Sequence, residues 1–406
     1  MKILMLTPYL PYPPSSGGQV RSYNLIKNLA KDHKITLFSL IKNESEKEYV
    51  KELEKYCQKV KVFRRSPKPW TGKNVLKTGL SLYPFVVVRN FSGEEKEVLK
   101  EEMKKEEYDL IHAETFYVMP HLPKTKIPIV LVDQTIEFQV YQHYVENLKD
   151  SILKLLSKPF LYIDVWKIKF WELRFWRKAD KVVAVSEADK NKMLSLVKNL
   201  NVGVVPNGAG EDLMGVWGKR KPEKDPTIFF QANFDWLQNI EAATNLAKNV
   251  FPAVKERLAN TKCWIVGQGA KNKIGNLTTK DLKVIELSTS DIGGVIDAYQ
   301  RATVFVAPLE GPGGTRLKIL AAMAAGVPVI TTQVGIEGID AKNNQDVLIA
   351  DNWQEMAEKT ALLLTDQKLY QKLVKGGRAL VEKKYSYKSI AKILDKIYRE
   401  VGSEEN

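Results

Sequence analysis

Short runs of consecutive apolar residues alternate along this chain with longer stretches whose apolar positions recur every three or four residues. That alternation is the pattern of βαβ units and a parallel sheet. In the first half, residues 2–7, 34–40, 60–63, 110–112, 127–132 and 181–185 read as strands. Ser186, with Asp189 three residues on, reads as the cap of the next helix. After a further run at 202–205, a second series appears at 227–231, 262–266, 302–307 and 327–332. Pro206-Asn207-Gly208 and the stretch 219–226, rich in Pro, Lys and Glu, mark a linker between the two series. The expected organisation is α/β, with domains at 1–205 and 227–385, a linker at 206–226 and a terminal helix at 386–401 whose Ile390, Ile393, Leu394 and Ile397 recur at helical spacing.

The 406 residues exceed what one core usually holds, which agrees with two domains. No apolar stretch reaches the roughly 18 residues a spanning helix needs, and the run Ile3 to Leu6 is shorter than a signal-peptide core. A cytoplasmic protein is expected. Cys57 and Cys263 fall in different domains and fit a reducing compartment, and His33, His112, His121 and His143 lack ligand spacing, so neither a protein-bound metal nor another cofactor is expected. The net charge of +14 attracts polyanions. Nucleic acid is the weakest candidate, since no zinc finger, RNA-recognition signature or basic tail is present.

Ligands of open parallel sheets sit beyond the carboxyl ends of the strands, which directs attention to the loops after Thr7, Val132, Val205 and Ala307. The last, Pro308-Leu309-Glu310-Gly311-Pro312-Gly313-Gly314-Thr315, opens a helical run at 316–325. Glycines let backbone N–H groups approach an anion, and a helix N-terminus favours phosphate. Arg316 and Lys318 stand in that first turn, where cations disfavour the helix itself, so an external anion explains them. A loop that is glycine-rich only for its turn is the bland alternative.

Ala307-Pro308-Leu309, Gly313-Gly314-Thr315-Arg316-Leu317-Lys318-Ile319-Leu320 and Ala322-Met323-Ala324-Ala325-Gly326-Val327-Pro328-Val329 resemble retaining glycosyltransferases of family 4, and among them bacterial exopolysaccharide sugar transferases. Supporting matches are Ala179-Asp180-Lys181-Val182-Val183-Ala184-Val185-Ser186, Val205-Pro206-Asn207-Gly208, Phe251-Pro252 and Val266-Gly267-Gln268-Gly269. The resemblance implies the GT-B architecture, two Rossmann-like domains with parallel sheets facing across a cleft, and a terminal helix that packs back on the first domain. It implies transfer of a sugar, with retention and without metal, from a nucleotide-diphosphate sugar to a glycan or lipid-linked acceptor. The donor-binding residues it implies are Gly17, Gly18, Asn207, Gly267, Gly313, Gly314, Thr315, Arg316, Leu317, Lys318 and Ala321, and the catalytic ones are Arg316, Lys318, Glu310 and Gln134.

Three positions depart from the family. Counting back from Ala322-Met323-Ala324 puts Ala321 where relatives carry a ribose-binding glutamate and Gly313 where they carry the glutamate near the sugar, leaving Glu310 as the loop's carboxylate. In Asp133-Gln134-Thr135-Ile136-Glu137, Gln134 replaces the family's histidine, and an amide hydrogen-bonds a hydroxyl without acting as acid or base. Ala321 and Gln134 leave open a second reading, a catalytically weak protein that binds nucleotide sugar or supports a partner enzyme. Gly17-Gly18 reads equally well as a phosphate approach or as the turn into a helix at 19–31. Residues 149–178, dense in Trp, Phe, Lys and Arg, either pack on the first domain or face an anionic membrane surface, and residues 68–89 read equally well as an acceptor or membrane loop or as an ordinary surface excursion.

Overall fold

The computed structural model describes residues 1–68, 70–148, 152–288, 291–311 and 317–403, with the side chains of 152–156 and 403 left aside. The chain forms two compact units. Unit 1 comprises Met1–Pro14, Gly18–Val205 and Ala391–Asn406, and unit 2 comprises Ser15–Gly17 and Pro206–Ile390.

Unit 1 holds strands β1 (Lys2–Thr7), β2 (Lys34–Ile41), β3 (Lys59–Arg64), β4 (Leu110–Glu114), β5 (Ile129–Val132), β6 (Lys181–Ala184) and β7 (Val202–Val204) in the order β3-β2-β1-β4-β5-β6-β7. All pairings are parallel. Parallel strands are covered by helices on both faces, which is why β1, β4 and β5 are buried almost along their whole length. Ser186 accepts the amide of Asp189 at 3.0 Å and so caps the helix Glu187–Leu196 as its sequence predicts.

Unit 2 repeats the plan with β8 (Thr227–Gln231), β9 (Lys262–Gly267), β10 (Leu282–Glu286), β11 (Val304–Ala307), β12 (Val329–Thr331) and β13 (Leu348–Ile349), ordered β10-β9-β8-β11-β12-β13 and again wholly parallel. The sequence pattern misses β10 and β13. Both lie at sheet edges: β10 is half exposed and β13 has two residues, so neither makes a continuous apolar run. Residues 206–226 group with unit 2 and are tied down there, Lys221 N donating to Gln300 O and Glu223 N to Arg301 O at 3.0 and 2.9 Å.

In each sheet the strand order reverses beside the central strand, between β1 and β4 and between β8 and β11. The carboxyl ends of those strands are where such folds bind ligands.

Candidate functional site

In unit 2 the chain leaves β8 as Ala232-Asn233-Phe234-Asp235, and a hydrogen-bonded chain of side chains crosses the strand ends. Lys318 Nζ donates to Asn239 Oδ1 at 2.5 Å. Asn239 in turn donates to Asn233 O at 2.6 Å, and Asn233 donates to Gln268 Oε1 at 3.0 Å. The Lys318 ammonium also lies 5.3 Å from the Phe230 ring centre, so the cation is held from two sides. The helix Leu317–Ala324 begins immediately before it, which fixes the lysine in the first turn.

The loop after β11 is anchored by the loop after β12. Thr331 Oγ1 donates to Ala307 O at 2.8 Å, and Thr332 Oγ1 donates to Leu309 O. Leu309 is buried, whereas Glu310 is exposed with Asn245 Nδ2 at 3.4 Å. Ala321 packs half-buried against the unit 2 core. Gly17, which groups with unit 2, would bring an added Cβ to 3.0 Å from Leu317 Cδ1. Asn207 is buried, beside Gly208, where a Cβ would meet Tyr385 O at 2.8 Å. Gly313, Gly314, Thr315 and Arg316 lie outside the described residues.

Gly267 closes β9. Its φ is +149°, and a Cβ there would fall 1.8 Å from Ala232 O, so glycine is required by backbone packing. The neighbouring amides of Gly269 and Lys271 donate to Glu286 at 2.7 and 2.9 Å, so the chain's own carboxylate fills that helix start.

In unit 1, Gln134 is the hub of a polar cluster at the ends of β1, β4 and β5. Its Nε2 donates to Glu114 Oε1 at 2.6 Å and to Tyr9 OH at 3.1 Å. Gly18 lies against the same tyrosine, where a Cβ would come within 2.5 Å of Tyr9 OH. Glu114, fully enclosed, also meets His112 Nε2 at 2.7 Å and has Arg21 Nε at 3.9 Å. Burial alone would raise the Glu114 carboxyl, but the His112 hydrogen bond and charge, with Arg21 and Gln134, hold it below the usual range. His112 Nδ1 meets Tyr398 OH at 2.5 Å.

Two further buried acids fix the loop that carries Gln134. Asp133 accepts Phe116 N at 3.2 Å and Trp176 Nε1, and burial pushes its carboxyl up to about 7. Glu172 accepts the amides of Glu137 and Phe138 at 2.8 and 3.1 Å, capping the helix Glu137–Glu146 from outside. Sequence reasoning passed over Glu114 and Arg21. The available signal was a charged residue ending an otherwise apolar strand, with His112 two residues earlier on the same face. Among the described residues no three His, Cys, Asp or Glu side chains are placed to hold a metal ion.

Comparison with known proteins agrees with this architecture. The sequence matches the profile described as Glycosyltransferase Family 4 over residues 15–212 and that of Glycosyl transferases group 1 over 225–366. A Klebsiella pneumoniae relative, an uncharacterized 44.6 kDa protein in the cps region, is 24% identical over 86% of this chain and 88% of its own. Sucrose-phosphate synthase from Thermosynechococcus elongatus superposes with a TM-score of 0.70 at 15% identity, covering 100% of both chains. HepE from Anabaena, solved with UDP and glucose, gives 0.62 at 15% identity over 98% of this chain and 100% of that one. The two profiles account in turn for the larger part of each unit, and with a fold shared end to end with GT-B glycosyltransferases, the chain belongs to the group 1, family 4 glycosyltransferases.

Proposed function

We propose that this glycosyltransferase draws its sugar from a nucleoside-diphosphate sugar bound by unit 2 and transfers it, with retention and without a metal, to a glycan or lipid-linked acceptor in exopolysaccharide assembly. The observation that carries the reading is Lys318, a cation held in a helix first turn by Asn239 and Phe230 at the carboxyl edge of the sheet. Arg316 is its proposed companion on the diphosphate. The HepE complex with UDP and glucose supports a nucleotide donor, and the cps relative supports a polysaccharide product.

In a front-face retaining transfer the leaving diphosphate takes the acceptor's proton, so the protein's share is electrostatic stabilisation of that leaving group. Lys318 and Arg316 supply it, Gln134 orients a hydroxyl, and Glu310 faces the sugar. No helix among the described residues is long and apolar enough to cross a membrane, and we place the protein in the cytoplasm, in peripheral contact with an anionic lipid surface.

The test is calorimetric titration with UDP and other nucleoside diphosphates, then turnover with a panel of nucleotide sugars in the presence and absence of EDTA. Lys318→Ala should weaken binding by roughly tenfold or more, since a hydrogen bond to a charged group contributes about 1.5–3 kcal/mol. Binding with no turnover on any donor would favour the catalytically weak protein that Ala321 and Gln134 also allow. Absence of nucleotide binding overturns the reading.

A further inference from the structure

Two arginines at the carboxyl edge of the unit 1 sheet have no ionic partner among the described residues. Arg65 follows β3, its backbone N–H bonded to Ile41 O at 3.0 Å and its Nη1 to the neutral amide Asn90 Oδ1 at 2.5 Å. Arg89 closes the short helix Phe85–Arg89, one residue before that asparagine. Both are half-buried, and the Nε of each is enclosed without a hydrogen-bond partner. Burial, and after it the charge of Arg89, hold the Arg65 guanidinium below its usual range.

The groups facing them are known. Tyr117, in the turn Phe116–His121 after β4, and Tyr141 and Glu137, after β5, all feel the charge of Arg89, and Arg65 feels Tyr117 and Glu46. Burial pushes Glu137 up to about 7, and even fully ionised it balances one of the two cations. The dipole of a five-residue helix offsets only a part of the remaining charge. Thr115, between β4 and Tyr117, holds φ +73°, a left-handed value that is strained for a β-branched residue and that recurs at binding sites. Unpaired, half-buried guanidinium groups are costly, and their planar fork matches phosphate or carboxylate.

We propose that Arg65 and Arg89 form a seat for an anionic group, phosphate or carboxylate, on the acceptor. It rests on the reading that unit 2 takes the donor, and it gives the acceptor a chemical class, a sugar or carrier bearing negative charge close to the hydroxyl that is glycosylated. Tyr117 and Tyr141 would then flank the anion with apolar ring faces.

The experiment uses the full chain, with and without saturating UDP, titrated with phenyl phosphate, glucuronate and neutral methyl glucoside. Wild type should bind at least one of the two anions. Arg89→Gln and Arg65→Gln should lose at least tenfold of that affinity while keeping their affinity for UDP, and the better of the two probes identifies phosphate or carboxylate. Should either variant fail to fold, Arg89→Lys keeps the charge without the fork and should still weaken anion binding several-fold. Anion affinity unchanged in folded variants, or no anion binding by wild type, overturns the proposal. UDP affinity, read in the same titrations, tests the donor reading separately.

Discussion

Glu95 is buried in the first turn of the helix Gly93–Lys105, with neither carboxyl oxygen hydrogen-bonded and His121 Nε2 at 3.4 Å. That nitrogen already accepts Ser92 N at 3.0 Å and Nδ1 donates to Val118 O, so the ring is neutral, and burial lowers it to about 4. Burial pushes Glu95 up to about 8 from a usual 4.5. A carboxyl raised on folding contributes stability that is complete below 4.5 and is lost as pH rises toward 8, at up to about 1.4 kcal/mol per pH unit. Asp133 and Glu137, both raised to about 7, act in the same direction. Glu95→Gln should therefore raise the melting temperature little at pH 5 and progressively more toward pH 8. Parallel melting curves across that range would contradict the assignment. At Ala321 the expected change is a gain: Ala321→Glu restores a carboxylate for ribose hydroxyls and should tighten UDP binding by about 1–2 kcal/mol, near tenfold, by calorimetry. Unchanged or weaker binding would mean that the register relating Ala321 to the family's glutamate is wrong.

At the scale of elements, the helix Ile152–Lys178 divides its aromatic residues between two jobs. Trp176 and Phe175 are buried in the unit 1 core, and Phe175 stacks on Trp171 at 5.4 Å. Towards its start, Ile163, Trp166 and Phe170 are exposed along one stripe that continues into Arg174 and Arg177. The second candidate segment lies against this helix: Lys167 Nζ donates to Thr78 O and Ser81 O at 2.9 and 2.7 Å, and Trp171 Nε1 donates to Leu82 O at 2.9 Å. The helix Gly72–Leu80 adds exposed Val75, Leu76 and Leu80, the last 83% exposed, together with Lys73 and Lys77. Apolar surface rimmed by lysine and arginine suits an anionic bilayer. Vesicles containing phosphatidylglycerol should sediment the protein, less so as salt shortens the screening length below about 8 Å. Leu80→Asp with Trp166→Asp should cut recovery several-fold without lowering the melting temperature. Equal recovery on neutral vesicles would argue against this surface.

Over the whole molecule, the last helix, Tyr387–Ser403, leaves unit 2 at Ile390 and packs on unit 1 from Ala391 onward. Asp395 meets His33 Nε2 at 2.8 Å, and Ile397 covers Gly203, where a Cβ would come within 2.8 Å of its Cδ1. Tyr398 reaches His112 and through it Glu114 and Gln134. Tyr398→Phe removes the partner of His112 Nδ1 in a fully buried place and should cost about 1–3 kcal/mol of unit 1 stability, measured by denaturant unfolding. No loss would mean that Nδ1 finds water in its place.

Apolar runs bounded by turn residues determined the central strands. Residues 2–7 and 227–231 are strands β1 and β8 to the residue, because a strand buried on both faces must be apolar throughout. The placing of Lys318 was also legible, since a cation in a first turn conflicts with local helix preference and so seeks partners beyond the helix, here Asn239 and Phe230. Edge strands β10 and β13 were not legible, because one exposed side removes the continuous apolar signal. Nor were the partners of Gln134, drawn from positions 9 and 114, or the unpaired state of Arg65 and Arg89. Local pattern reports how a segment is covered, whereas a polar side chain's partner is set by which distant strand ends the sheet order brings together, and only the tertiary structure decides that.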